Sequence, residues 1–238
     1  MWYFIFLCSF YICLVNSSLV PYITRCRHDD TKCMIDQARI VIPLFADGIP
    51  ELNVQKMDPI KLKHIDATSS NLKLIISDAV LTGLKNCEAK KLTRDIEKSH
   101  FFIQALCSVN LEGKYVMDGK LFVVPIKGRG DLHVLIRKVM INVEVDSDTE
   151  NDKEGIKHWK IKSWRYTFTL HDKSDVIFEN LFEDNELLRR TVTELIKNNG
   201  NDVIQEIGQP VVNAIVTRIV KRIKSFLAAV PLEDLIID

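Results

Sequence analysis

The side chains able to do chemistry are scattered along this chain rather than gathered. Six histidines stand at positions 28, 64, 100, 133, 158 and 171, and none has a partner at metal-site spacing. They read as surface residues. Asp146, Asp148 and Asp152 begin like a calcium loop, but the sixth position is Asn151 instead of Gly and the twelfth is Lys157 instead of Glu. The stretch DSDTENDKEG, 146–155, therefore reads as a polar hairpin loop. Gly128-Arg129-Gly130 is a bare G-x-G and reads as a glycine turn at the end of a strand. No G-x-S-x-G, H-E-x-x-H, P-loop or G-x-G-x-x-G occurs. The expectation is a protein that is not an enzyme, with no catalytic residue, no metal and no cofactor. Arg218, Lys221 and Arg222 form a basic stripe near the C-terminus. It reads as a solvated face, with contact to a membrane surface as the alternative.

Cysteine is the other reactive residue, and its use depends on compartment. Residues 2–15 form an almost wholly apolar run, about as long as a secretory h-region and shorter than the roughly 20 residues that span a bilayer. Small residues follow at Ser17 and Ser18. Residues 1–18 are expected to be a signal peptide, with an uncleaved anchor as the alternative, and residues 19–238 a single secreted domain. Beyond the leader lie Cys26, Cys33, Cys87 and Cys107. An even number in a secreted chain points to disulfides, and three pairings exist. Cys26 and Cys33 would close the short loop CRHDDTKC. Cys87 and Cys107 are roughly symmetric about a plausible turn at Glu97-Lys98, whereas the apolar alternation of Leu92 and Ile96 prefers a register slipped by one residue. Zinc is the rival use, but no C-x₂₋₄-C pair and no histidine pair supports it.

The elements that must position anything else follow from periodicity. Asp29 and Asp30 are cap candidates for a helix over 29–47, with apolar residues at Met34, Ile35, Ala38, Ile42 and Phe45 and a stop at Gly48. The connector FADGIPELNVQKMDP then carries Pro50 and Pro59, which fix φ and discourage helix before them. From 60 to 170 the pattern alternates as in β-strands. Leu72, Leu74 and Ile76 share a face; so do Phe101, Ile103, Ala105, Cys107, Val109 and Leu111; so do Val139, Ile141, Val143 and Val145; so do Trp164, Tyr166, Phe168 and Leu170. Residues 115–120 read as a hairpin turn. From Leu188 to Val230 apolar residues recur at near-helical spacing, enough for a helix of roughly 65 Å, which Gly200, Gly208 and Pro210 should bend or interrupt.

Long strands with one apolar face suggest a curved antiparallel sheet, and a helix of that length needs a partner surface of similar extent. The predicted fold is α+β, a long C-terminal helix wrapped by a curved, highly twisted antiparallel sheet. The formal net charge is +0 and 47% of residues are hydrophobic. No basic excess supports nucleic-acid binding. A secreted wrap with a large apolar interior suits a tunnel for a small hydrophobic ligand. By alternation its walls would be Leu74, Ile76, Ile103, Val139 and Ile141, then Trp164, Tyr166 and Phe168, with Ile215 and Ile219 from the helix. Lys127 or Tyr166 would meet a polar head. The alternative is an interaction protein of the same fold whose side chains fill the core.

CRHDDTKC before a helix, then GIPEL at 48–52 and DP at 58–59, resembles the start of the insect takeout and juvenile-hormone-binding family. LEGKY (111–115), GKLFVVPIKGRGD (119–131), ENLFEDN (179–185) and PLEDL (231–235) follow in the family's order and spacing. The resemblance implies a TULIP-like super-roll and a monomeric extracellular carrier of juvenile hormone, terpenoids or fatty-acid-like lipids. It also implies that GIPEL-to-DP is the crossover from the first helix into the sheet. In the hormone-binding branch a strand tyrosine meets the polar end of the ligand. The matching strand here, LFVVPIK, has none, which favours a takeout-like carrier.

Overall fold

The computed structural model describes residues 19–237. The expected signal peptide lies outside the described residues. Among the described residues the α-helices and β-strands follow in this order: β1 (Cys26–Arg27), α1 (Thr31–Asp47), β2 (Ile60–Asp66), β3 (Leu72–Thr82), β4 (Glu88–Asp95), β5 (His100–Leu121) and β6 (Val124–Asn151). They continue with β7 (Lys157–Leu170), β8 (Asp175–Phe178), α2 (Glu186–Asn198), α3 (Gly200–Ile207), α4 (Gln209–Ala229) and β9 (Ile236–Ile237).

Alternation of apolar and polar residues makes the strands, and the length of two of them makes the sheet. β5 has 22 residues and β6 has 28, paired antiparallel from His100 opposite Asp146 to Leu121 opposite Val124. Each changes its outer partner midway. β5 pairs β4 along its first half and β3 along its second. β6 pairs β8 at Leu132–Leu135 and β7 from Val139 onward. The change on β6 falls at a bulge where Lys138 has φ 51°, and Asp78 with φ 49° marks a second bulge on β3. An extra residue in one strand bends it and raises its twist. The sheet therefore curls, and its concave face collects the apolar side chains.

The hairpin expected at 115–120 is not there. Residues 115–121 continue β5, and the reversal falls at Phe122-Val123. Asp118-Gly119 looks like a turn in sequence, but Gly119 lies within β5 between Leu72 of β3 and Ile126 of β6, where a Cβ would approach the Asn71 carbonyl oxygen to 2.3 Å. Gly128-Arg129-Gly130 is likewise not a turn. It lies inside β6, and a Cβ at Gly130 would come 2.7 Å from the Glu179 carbonyl oxygen. These glycines let the 179–182 segment lie close on the strand. The polar loop narrows to residues 152–156, where the Asp152 carboxylate accepts from the amides of Glu154 and Ile156.

Both disulfides are present. Cys26 and Cys33 bridge β1 to the first turn of α1, whose cap is the Asp30 carboxylate accepting from Cys33 N at 2.9 Å. Cys87 and Cys107 join with Cα atoms 4.4 Å apart. A bulge between Ala89 and Lys91 reconciles the two registers: Glu88 faces Leu106 by the symmetric register, and Leu92 faces Ile103 by the slipped one.

The connector after α1 is held by backbone bonds. Met57 N and Asp58 N both donate to Ala46 O at 3.0 Å, and Ile49 pairs with Val54. Asp58 accepts from Gly83 N and Lys85 N. The connector therefore ties the end of α1 to the sheet, and Phe45 of α1 meets Phe226 of α4 edge to face at 4.8 Å.

The C-terminal helix comes in three pieces, broken at Asn199 and Gly208. Gly200 lies so close to Ser174 that a Cβ would sit 2.2 Å from its carbonyl oxygen. Pro210 lacks an N–H to donate and sits in the first turn of α4, where none is needed. His158 differs from its expected surface place: it is 6% exposed, with Nδ1 2.9 Å from Val230 O, and anchors β7 to the end of α4.

Candidate ligand-binding cavity

Strand alternation sends every second side chain of the curled sheet inward, and the apolar stripe of α3 and α4 faces them. The two surfaces do not close completely. Between them lies a cavity walled by Leu74 and Ile76 of β3, Val109 and Leu111 of β5, Leu132, Val134, Ile136, Val139 and Ile141 of β6, Phe168 of β7, and Val176 and Phe178 of β8. The helices contribute Val203, Ile204, Ile207, Val211, Ile215 and Ile219. About 110 Å³ is open to the centre of a water-sized sphere. Every lining side chain is a hydrocarbon, with Gly208 presenting bare backbone at the joint of α3 and α4. Such a wall has no group that could transfer a proton or attack a bond. It can exclude water and hold apolar surface.

A buried polar side chain, Tyr115, packs on the wall residue Phe178 and is 2% exposed. Its hydroxyl donates to Glu179 O at 2.5 Å, and its ring packs edge-on against Phe178, 4.8 Å between centroids. Burial first, and the charges of Glu183 and Glu179 second, push this phenol far above the usual tyrosine range. Gly128 makes room for it: a Cβ there would sit 2.6 Å from the hydroxyl.

Of the residues read from sequence as tunnel wall, Leu74, Ile76, Val139, Ile141, Phe168, Ile215 and Ile219 line the cavity. Ile103, Trp164 and Tyr166 do not. They are half-buried and pack with Val145, Ile161, Val216 and Val220 in a second apolar cluster that adjoins the cavity through Val216. Alternation continues along the strand past the end of the cavity and carries no mark of where it stops. Tyr166 ends instead at the helix joint, where Gln209 Nε2 donates to its hydroxyl at 3.1 Å, and burial raises its pKa. Lys127 is exposed on the outer surface, 3.8 Å from Asp118, and meets no cavity. Sequence reasoning missed the β8 wall, Val176 and Phe178, because four residues are too few to show a period. It also missed Leu132, Val134 and Ile136, although DLHVLI alternates well enough to have placed two of them.

Among the described residues no group of three or more His, Cys, Asp or Glu is arranged to hold a metal ion, and no helix is long and apolar enough to cross a membrane.

The family model described as haemolymph juvenile hormone binding protein matches residues 4–237, nearly the whole chain. The chain belongs to this family. Among its relatives in the juvenile hormone binding protein family are two proteins named circadian clock-controlled protein daywake. The one from Drosophila yakuba is 27% identical over 223 residues, 88% of this chain and 85% of that protein. The one from Drosophila melanogaster is 28% identical over 221 residues, 87% and 84%. The crystal structure of Epiphyas postvittana Takeout 1 superposes with a TM-score of 0.85 at 28% identity, covering 89% of this chain and 98% of that one. The predicted α+β fold, a curled antiparallel sheet around C-terminal helices, is thus the fold of this chain and of a solved family structure. Membership makes it a member of a family of binding proteins, and its hydrocarbon-walled cavity is consistent with carriage of a hydrophobic ligand.

Proposed function

We propose that the protein is a secreted, monomeric carrier of a small hydrophobic molecule, of terpenoid, juvenile-hormone or fatty-acid-like class, held between the sheet and α3–α4. The observation that carries the reading is the wall itself: hydrocarbon side chains from five strands and two helices surround one space and bring no polar side chain into it. Two disulfides and the haemolymph family support an extracellular site of action. Burial of about 400 Å² of ligand would contribute roughly 10 kcal/mol before entropy losses. Isoprenoid or alkyl chains fit such a wall, whereas a ligand needing several hydrogen bonds would leave them unmade.

A second reading has an observation of its own. The cavity is small, about 110 Å³ for the centre of a water-sized sphere, and it borders a second cluster of apolar side chains packed on one another, Val145, Ile161, Val216 and Val220. A protein with this fold and a filled core would act through its surface. Native mass spectrometry of protein secreted from insect cells, with extraction of whatever co-purifies, separates the two. A bound terpenoid or acyl species supports the carrier and names its class. Empty protein that also fails to bind uncharged apolar fluorescent probes leaves the filled-core reading.

A further inference from the structure

A second pocket lies on the outer side of α4 and has the opposite chemistry. Its rim is four cations from three segments: Lys56 of the connector, Lys61 of β2, and Arg218 and Arg222 of α4. Its floor is Met57, Pro59 and Ile60, of which Met57 and Ile60 are buried. About 190 Å³ is open to the centre of a water-sized sphere. No carboxylate lines it. None of the four cationic side chains makes an ion pair or a hydrogen bond among the described residues.

This is not the arrangement of an ordinary solvated face. The chain as a whole has formal net charge +0, and many of its surface lysines and arginines lie beside a carboxylate. α4 carries no Asp or Glu at all. The acid adjoining the pocket in sequence, Asp58, is turned away, its carboxylate oxygen occupied by the amides of Gly83 and Lys85. Arg218 and Arg222 are one helical turn apart and share a face. The connector is pinned to α1 by Met57 N and Asp58 N on Ala46 O, so Lys56 springs from a fixed backbone. Like charges gathered around one recess repel one another, and a multivalent oxyanion relieves that repulsion while accepting from both guanidinium forks.

We propose that this pocket binds a phosphate group, with Arg218 and Arg222 as its forked donors and Lys56 and Lys61 as its flanking charges. The phosphate comes either from a free oxyanion or from the headgroup of an acidic phospholipid. The site is separate from the cavity although it shares α4 with it: Ile215 and Ile219 face the cavity, Arg218 and Arg222 the pocket. It does not rest on the carrier reading.

The test uses full-length secreted protein and two probes at fixed ionic strength. Calorimetric titration with inorganic phosphate reads the free oxyanion. Co-sedimentation with vesicles of phosphatidylcholine alone, or with added phosphatidic acid, reads the headgroup. Two double variants, Arg218→Gln with Arg222→Gln and Lys56→Gln with Lys61→Gln, are compared with Lys153→Gln plus Lys157→Gln, which removes equal charge from the distant β6–β7 hairpin. The expected result is binding weakened about tenfold or more in each pocket variant and unchanged in the hairpin variant. Binding of phosphate alone assigns a free oxyanion; binding of phosphatidic acid vesicles as well, displaced by phosphate, assigns the headgroup. If the parent binds neither probe, or if pocket and hairpin variants lose binding equally, the proposal is wrong. Uptake of an uncharged apolar dye by the same variants is expected to stay at the parent's level, so a failed anion site and a failed carrier are told apart.

Discussion

Tyr115 joins three parts of the chain through one side chain. It stands on β5, donates to the carbonyl of Glu179 beyond β8, and fills the space that Gly128 leaves on β6. Removing its hydroxyl leaves a buried carbonyl without its donor, so Tyr115→Phe is expected to lower unfolding free energy by about 1 to 3 kcal/mol in urea titration. Its raised pKa adds a dependence on pH. The unfolded chain ionises this phenol near about 10, while the folded site resists ionisation. The contribution is therefore complete below that value and is lost as pH climbs from it towards the folded pKa. Tyr115→Phe should show a shallower fall in stability on the alkaline side than the parent. An equally steep fall in both would place the alkaline sensitivity elsewhere. None of this was legible in LEGKYVMDGK, where the Asp-Gly pair suggested a turn; the hydroxyl's partner is 64 positions away. A sequence shows that a tyrosine sits among apolar neighbours, but not which distant carbonyl it meets.

At the scale of elements, periodicity located most strands and both ends of α1, and it failed where a local irregularity decides the shape. The bulges at Lys138 and Asp78 leave no trace in hydrophobic pattern, yet they mark where β6 changes partner and where β3 shifts register. The β4–β5 hairpin shows how two conflicting signals were both correct. Cysteine symmetry and apolar alternation asked for registers one residue apart, and the bulge before Lys91 satisfies each in its own half. The bridge itself closes a separation of 20 residues between Cys87 and Cys107. Loop-closure entropy in the unfolded chain then makes its loss worth about 3 kcal/mol. Cys87→Ala with Cys107→Ala should lower the urea midpoint accordingly with little change in the native β-sheet signal. A change below about 1 kcal/mol would mean that β4 is already held by its ladder to β5 in the unfolded ensemble. Gly200→Ala tests the other device, the close approach of α3 to Ser174. A Cβ 2.2 Å from a carbonyl must displace backbone, so a loss of about 1 to 3 kcal/mol is expected, larger than Ala's helix preference returns.

At the scale of the whole molecule, one curled sheet and one broken helix define an interior whose use depends on how far they stand apart. Sequence pattern identified the two surfaces but not the gap, because spacing between layers is set by bulges and helix breaks rather than by composition. That is why Ile141 and Phe168 border the cavity while Ile103 and Trp164, on the same faces of the same sheet, pack half-buried on the second cluster. A gap of about 110 Å³ for sphere centres accepts a compact apolar group as it stands. A longer chain would press α3 and α4 outward about their joint at Gly208, where one side-chain hydrogen bond to the sheet, Gln209 Nε2 to the Tyr166 hydroxyl, stands in the way. Linkage turns this into a measurement. A ligand that binds only the folded state at about a hundred times its Kd adds about 2.7 kcal/mol, or roughly 5 to 10 °C in Tm for a domain of this size. An uncharged dye such as N-phenylnaphthylamine isolates the cavity from the basic pocket. The parent should show that shift. Ile215→Trp and Val139→Phe should remove more than half of it while keeping ligand-free stability within about 1 to 2 kcal/mol, since the added bulk enters existing space. A shift that persists in both variants would put the dye outside this cavity. No shift in the parent would mean that the two layers stay closed and that the protein works through its surface.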